Sequence, residues 1–355
     1  MELQQWIQVT PTYLDEFRNQ GLIVKKKRSL AIVKYPYNYS QLEEPWKRVC
    51  RGAVIDLDTH KVICVPPQKS KLLEPTDYVT TEGTVYELLD GTMVNMFWYK
   101  DQWMYSTRSD IGGNNRWNRR SIRQLFESTV DVSKLKDCLD TSHCYSFVLS
   151  HPKIRNVSPV DQPKVTLVEV TDLVTFQTKP YPPDLPCDSS QPILVDKPLS
   201  QWIQTTLESN KDNASWKGIT IKTETMRWKL LNPLYVTIKE TLSVNSSNLL
   251  YKYIHTFKKG TLQDYISMYP EDKQQFTKYS NQYDELCKQL LSMYHKVIVH
   301  KTMEKRKVPY HLKPLMYDLH KVYLQTQDYI SEERVREFMK SQHESRLVFV
   351  MNYVQ

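Results

Sequence analysis

A change of hydrophobic period along the chain constrains its fold more than any other feature. Up to about Tyr235 the apolar runs are short, β-branched or aromatic, and separated by turn residues. The runs at 30–35, 53–57, 62–66, 94–99, 103–107, 145–149, 165–170 and 218–222 predict strands of a mostly antiparallel system. Two helical patterns, 116–128 and 200–209, interrupt them. Six prolines between Lys179 and Pro198 mark an irregular surface connection, since proline cannot donate to a sheet ladder. From about Ser247 the spacing becomes three and four. Phe276, Tyr279, Tyr283, Leu286, Leu290, Tyr294, Val297 and Ile298 fall on one face of a long helix. Shorter stripes follow through Leu315, Leu319 and Val322, then Val335, Phe338 and Met339. Ser331 is a good N-cap for the latter, with Glu332 and Glu333 where the helix dipole favours carboxylates. The expectation is an α+β domain over residues 1–240, followed by a small all-α domain over 241–355.

Composition narrows the function less than the fold. With 355 residues the chain is long enough for two domains at the usual ~150 residues each. A net charge of +8 suits contact with phosphates, and is also common on proteins that touch no nucleic acid. Cys50, Cys64, Cys138, Cys144, Cys187 and Cys287 show no C-x-x-C pairing, so neither a zinc site nor a disulfide framework is indicated, and no metal ligands are expected. The first residues lack the charged start and apolar run of a signal peptide, and no stretch reaches the ~20 apolar residues of a membrane span. A cytoplasmic protein without a membrane partner is expected; oligomeric state is not legible.

Several short strings then occur in a fixed order. Arg48-Val49-Cys50-Arg51-Gly52-Ala53-Val54-Ile55-Asp56 comes first, then Pro67-Gln68-Lys69-Ser70-Lys71-Leu72-Leu73-Glu74, then Glu87-Leu88-Leu89-Asp90-Gly91-Thr92. Thr107-Arg108-Ser109, the stretch from Tyr145 to Val157, Lys217-Gly218-Ile219-Thr220-Ile221-Lys222 and Arg227-Trp228-Lys229-Leu230-Leu231 follow. In order and spacing the set resembles the covalent nucleotidyltransferases, and most closely the phage-type ATP-dependent RNA ligases and their relatives in large DNA viruses. The resemblance covers most of the chain. It implies an antiparallel-sheet adenylation domain, ATP and Mg²⁺ as cofactors of an active enzyme, RNA as partner, and the host cytoplasm as location of a viral member.

In that family a lysine attacks the α-phosphate of ATP, AMP passes to a 5′-phosphorylated RNA end, and a 3′-hydroxyl displaces it. Leu88 stands at the nucleophile's position, and no lysine occurs from Leu72 to Tyr99. Leucine has no lone pair to offer. Lys217 replaces the glutamate of the fourth motif, Leu231 the second lysine of the fifth, and Ser146 and Val148 stand where the third offers a carboxylate. Lys217 and Lys71 are the candidate relocated nucleophiles.

By the same resemblance Arg51, Lys71, Glu87, Asp90, Gly91, Arg108, Phe147, Lys217, Lys222 and Lys229 form the expected nucleotide site. Arginine's planar fork suits phosphate oxygens. The bland alternative is that Arg-Gly and Asp-Gly are hairpin devices. Lys25, Lys26, Lys27 and Arg28, with Arg116, Arg119 and Arg120, stand beside Tyr35, Tyr37, Tyr39 and Trp117. Cations neutralise phosphates and aromatics stack on unpaired bases, so these residues are the expected RNA contacts; a solvated charged face over a core is the alternative. His151 is a candidate nucleotide contact or a satisfied structural residue. Two functions follow. One is an RNA ligase-like protein that binds ATP, AMP or adenylated RNA ends, has lost lysine-dependent self-adenylation and retains sealing of pre-adenylated RNA. The other is a catalytically inactive pseudo-ligase serving as an RNA-binding or partner-binding module.

Overall fold

The computed structural model describes residues 2–36, 39–74, 82–116, 120–223, 225–244 and 246–353. The chain forms two compact units, Met1–Ser243 and Val244–Gln355.

Among the described residues the first unit is built on three sheets. The first has the order β1 (Ile23–Lys27), β2 (Leu30–Lys34), β3 (Arg51–Asp56), β4 (Lys61–Cys64), all antiparallel. A second sheet of four strands joins β5 (Lys71–Leu72) and β6 (Thr84–Glu87) to β12 (Gly218–Lys222) and β13 (Arg227–Leu231), in the order β5-β13-β12-β6. The third contains β7 (Thr92–Tyr99), β8 (Gln102–Ser106), β9 (His143–Ser150), β10 (Lys164–Asp172) and β11 (Asp188–Ser189), in the order β11-β10-β9-β7-β8.

Apolar faces decide how these layers stack. Trp6 and Phe17, on the helices Leu3–Val9 and Tyr13–Asn19, cover one face of the first sheet around Val33, Ala53 and Ile55. Its other face, through Leu30, Ile32, Val54 and Cys64, packs on Phe97 and Cys144 of the third sheet. The far side of the third sheet, with Val94, Tyr145, Phe147 and Leu149, is buried under Ile122, Leu125 and Phe126 of the helix Ile122–Glu127. Helix Leu199–Asn210 seats Ile203 against Val85, Ile219, Ile221 and Leu230 of the second sheet. Burying side chains of this size stabilises by roughly 1.5–3 kcal/mol each.

The eight predicted strands all form, and the helix expected at 200–209 is Leu199–Asn210. The 116–128 pattern is shorter than expected. Its helix begins only after Ser121, whose hydroxyl accepts from Gln124 N while the Gln124 side chain returns to Ser121 N, a complete capping box. The proline-rich stretch carries one brief strand, Asp188–Ser189, paired with β10.

The second unit is helical. Its long helix Lys273–Tyr294 continues into the wide turn His295–Val299, and Ser331 caps Glu332–Ser341 by accepting from Arg334 N. No helix among the described residues is long and apolar enough to cross a membrane.

Candidate nucleotide cleft

A cleft of about 370 Å³ opens in the first unit, within the size range of small-molecule sites. Its floor is the segment 86–93; Val148 and Val168 form an apolar wall. Arg51, Arg108, Lys217, Lys222 and Arg227 bring positive charge to it from four different parts of the chain.

The floor is held by Asp90, whose carboxylate is a buried anchor and not a hairpin device. It accepts from Val157 N at 3.1 Å, Ser158 N at 3.2 Å, Asn156 Nδ2 at 3.1 Å and Tyr235 Oη at 2.8 Å, and lies 3.5 Å from Lys217 Nζ. Burial alone would raise its pKa; Lys217 and these hydrogen bonds outweigh burial and hold the carboxyl below its ordinary value. Gly91 is needed for a different reason. A Cβ there would come within 2.5 Å of Leu149 O and 2.8 Å of Val148 Cγ1, so only glycine lets the floor lie this close to β9.

Leu88 lines the cleft, and its N–H donates to Gly218 O at 2.9 Å, which sets it beside Lys217 across the strand pair. Lys217 Nζ donates to Leu89 O at 3.0 Å. Burial lowers its pKa, opposed by Asp90 and aided by Lys239 and Arg51. Lys71, the other candidate nucleophile, is exposed and stacks over Trp228 at 5.8 Å. Trp228 lies on the opposite face of β13 from Arg227 and Lys229, so the structure does not bring Lys71 into the cleft.

Along β13, Arg227, Lys229 and Leu231 alternate onto one face. Leu231 thus shares the face of Lys229, where the resemblance sets a second lysine, and Arg227 adds a cation to that face on the other side of Lys229. Burial lowers the pKa of Lys229, and Arg51, Lys69, Lys239 and Lys217 lower it further. Burial lowers Arg51 in the same way, with Arg227 and Arg108 among its neighbours. Among the described residues neither Lys229 nor Arg51 makes a side-chain hydrogen bond or ion pair. Arg108 donates through Nη2 to Tyr35 O at 3.0 Å and stacks over the Tyr35 ring at 5.1 Å, while its buried Nε has no partner.

Glu169, Val168 and Tyr86 lie outside the expected set. Lys222 Nζ donates to Val168 O at 2.9 Å, sits 3.3 Å from Glu169 Oε2 and lies over the Tyr86 ring at 4.6 Å. Arg227 Nη1 donates to the same Glu169 oxygen at 2.6 Å. A β-bulge between Leu167 and Glu169 explains the placement. Val165, Leu167 and Val170 face the core while Val168 walls the cleft, a shift that one extra residue in the strand produces. Glu169 is the lone charge in the 165–170 run, a signal in the sequence for a buried pair.

Phe147 is a correction. It is fully buried on the core side of β9, packed edge-on to Phe126 with ring centroids 5.4 Å apart; its neighbour Val148 faces the cleft instead. Ser146, on the same face as Val148, is buried and donates to Asn95 Oδ1 at 2.8 Å. His151 is structural: its Nδ1 accepts from Lys153 N at 3.0 Å and caps the turn Pro152–Ile154. Glu87 is exposed at the rim, which the cleft shares with a wider groove of about 920 Å³ along Lys164, Asp188 and Trp216.

The basic strand β1 forms an edge of the first sheet. Lys25, Lys26 and Lys27 are exposed on the sheet edge, Lys27 donates to Ile111 O at 2.5 Å, and Arg28 turns the hairpin with a φ of 55°. Lys34, whose pKa is lowered by burial and by Lys25 and Arg108, donates to Ser109 Oγ at 2.9 Å, and Ser109 lines the cleft. Arg116 and Arg120 are exposed; Arg119, with Trp117 and Tyr37, lies outside the described residues.

No protein-family model matches the chain. Among curated proteins, an RNA ligase of Rhodothermus phage RM378 is 24% identical, over 44% of this chain and 44% of that protein. The chain resembles the phage RNA ligases. It spans less than half the length of that relative. Solved structures similar to it include a putative ATP-dependent DNA ligase from Aquifex aeolicus (TM-score 0.45, 11% identity, 93% of this chain and 87% of that one). An archaeal ATP-dependent RNA ligase (TM-score 0.44, 12% identity) covers 97% and 95%. A Naegleria gruberi RNA ligase mutant with AMP and Mn (TM-score 0.37, 12% identity) covers 49% and 57%.

Proposed function

We propose that this chain is an RNA ligase-like protein whose cleft binds ATP, AMP or the adenylated end of an RNA, with self-adenylation lost at Leu88 and sealing of pre-adenylated RNA retained. The charge balance of the cleft carries this reading. Asp90 and Glu169, the carboxylates buried next to the cleft, are already committed to Lys217, Lys222 and Arg227, while Arg51 on its lining and Lys229, on the same face of β13 as Arg227, make no ion pair among the described residues. Half-buried cations with no direct ion pair are costly, and a phosphate anion relieves that cost.

Sealing needs no nucleophilic lysine. A 3′-hydroxyl oxygen bonds to the 5′-phosphorus and loses its proton to water, the bond from that phosphorus to the oxygen bridging to AMP breaks, and AMP leaves with the added charge. Arg51, Lys229 and Arg227 would stabilise the charge developing on the departing phosphate. The exposed cations Lys25, Lys26, Lys27, Arg28, Arg116 and Arg120 would hold the RNA backbone. Incubation with pre-adenylated RNA in the absence of ATP is expected to yield joined product. Its absence removes the sealing activity.

The pseudo-ligase reading is favoured by the loss of the nucleophile together with the full commitment of Asp90 and Glu169. It predicts salt-sensitive RNA binding that ATP does not alter. A relocated nucleophile would be Lys217, and labelled ATP followed by denaturing electrophoresis would show its adenylate.

A further inference from the structure

We infer that the cleft holds the phosphates of an adenine nucleotide without a protein-bound divalent cation, with Lys217, Lys229 and Arg51 supplying the positive charge instead. The inference rests on the nucleotide reading above.

A hard divalent cation such as Mg²⁺ needs oxygen ligands with free lone pairs, usually one or two carboxylates beside the phosphates. The two carboxylates buried next to the cleft do not fit, which leaves Glu87 at the rim as the one candidate ligand among the described lining residues. Asp90 spends its oxygens on Asn156, Val157, Ser158, Tyr235 and Lys217. Glu169 is closed from both sides by Lys222 at 3.3 Å and Arg227 at 2.6 Å. No cluster of three or more His, Cys, Asp or Glu suited to a metal occurs among the described residues. Ser146, where the related enzymes offer an acid, brings no carboxylate and spends its hydroxyl proton on Asn95.

Lys217 makes the substitution specific. It is only 19% exposed, lines the cleft, and puts a fixed ammonium beside the floor at Leu89 and Asp90. Arg51, Arg108, Lys217, Lys222 and Arg227 line the cleft against Glu87 alone among the described acids, so it already holds excess positive charge, and Arg51 lowers the pKa of both Lys217 and Lys229. A divalent ion entering it would meet repulsion, and a nucleotide that arrives with one bound carries two fewer negative charges to be attracted.

The test compares ATP binding to the full chain in excess EDTA and in excess Mg²⁺, by calorimetry or filter binding. The expected result is an affinity in EDTA equal to or tighter than in Mg²⁺, with Lys217→Gln and Arg51→Gln each weakening the EDTA value about tenfold. Using two variants guards against a folding defect in either, and a thermal melt checks both. Glu87, exposed at the rim, is the one carboxylate on the cleft lining, among the described residues, free to meet a nucleotide-borne ion. If EDTA weakens binding tenfold or more and Glu87→Gln does the same in Mg²⁺, the inference is overturned. Unchanged EDTA affinity in both cation variants overturns it as well. No ATP binding in either condition overturns the nucleotide reading itself, and this inference with it.

Discussion

Removing the carboxylate of Asp90 would leave the Lys217 ammonium, the Tyr235 hydroxyl and two backbone N–H groups without their shared acceptor. Breaking a buried pair from one side typically costs ~3–5 kcal/mol, so Asp90→Ala is expected to lower urea-unfolding stability by about that much. The pH dependence has a definite sign. Because the folded-state pKa of Asp90 is depressed, its contribution is fully present above the ordinary carboxylate value of ~3.9 and is lost as pH falls through the lower folded value. Asp90→Asn should therefore flatten the acid limb of stability against pH. An unchanged acid limb would show that the pair with Lys217 is not what holds the floor.

The edge strand β1 carries its cations in a row, and single-stranded nucleic acid releases roughly 0.7 counter-ion per neutralised phosphate. Changing Lys25, Lys26 and Arg28 together to Gln is expected to flatten the plot of log binding constant against log salt by about 2. An unaltered slope would mean that the strand is a solvated edge. The elements themselves were largely legible in the sequence, because β-branched runs and three-four stripes report local period directly. Which face of a strand meets the cleft was not. β9 is buried on both sides from Cys144 to Leu149, so its apolar run contains no alternation to say whether Phe147 or Val148 faces inward. Glu169 escaped for a related reason: the bulge resets the alternation within β10. Arg51, Arg108 and Lys217 could be named by resemblance, but the partners of Asp90 come from residues 66 to 145 positions away, beyond any local pattern.

At the scale of the whole chain, the tryptophans are unevenly shared. All eight lie before residue 244, so indole fluorescence follows the first unit alone, where Trp6 and Trp46 stack with centroids 4.0 Å apart. If that unit binds ATP, ligand at a hundredfold excess over its dissociation constant should stabilise it by about 2.7 kcal/mol and move the fluorescence-monitored urea midpoint upward. No movement at any ATP concentration would count against a nucleotide cleft. The bond from Tyr235 to Asp90 has a further consequence, which belongs to synthesis more than to the finished molecule. It spans 145 residues, so the floor laid down by residues 86–93 waits, as the polypeptide emerges, for a segment made much later. A nascent chain stopped short of Tyr235 would lack one of the groups that hold Asp90, and the proposed nucleotide cleft is complete only near the end of the first unit's translation.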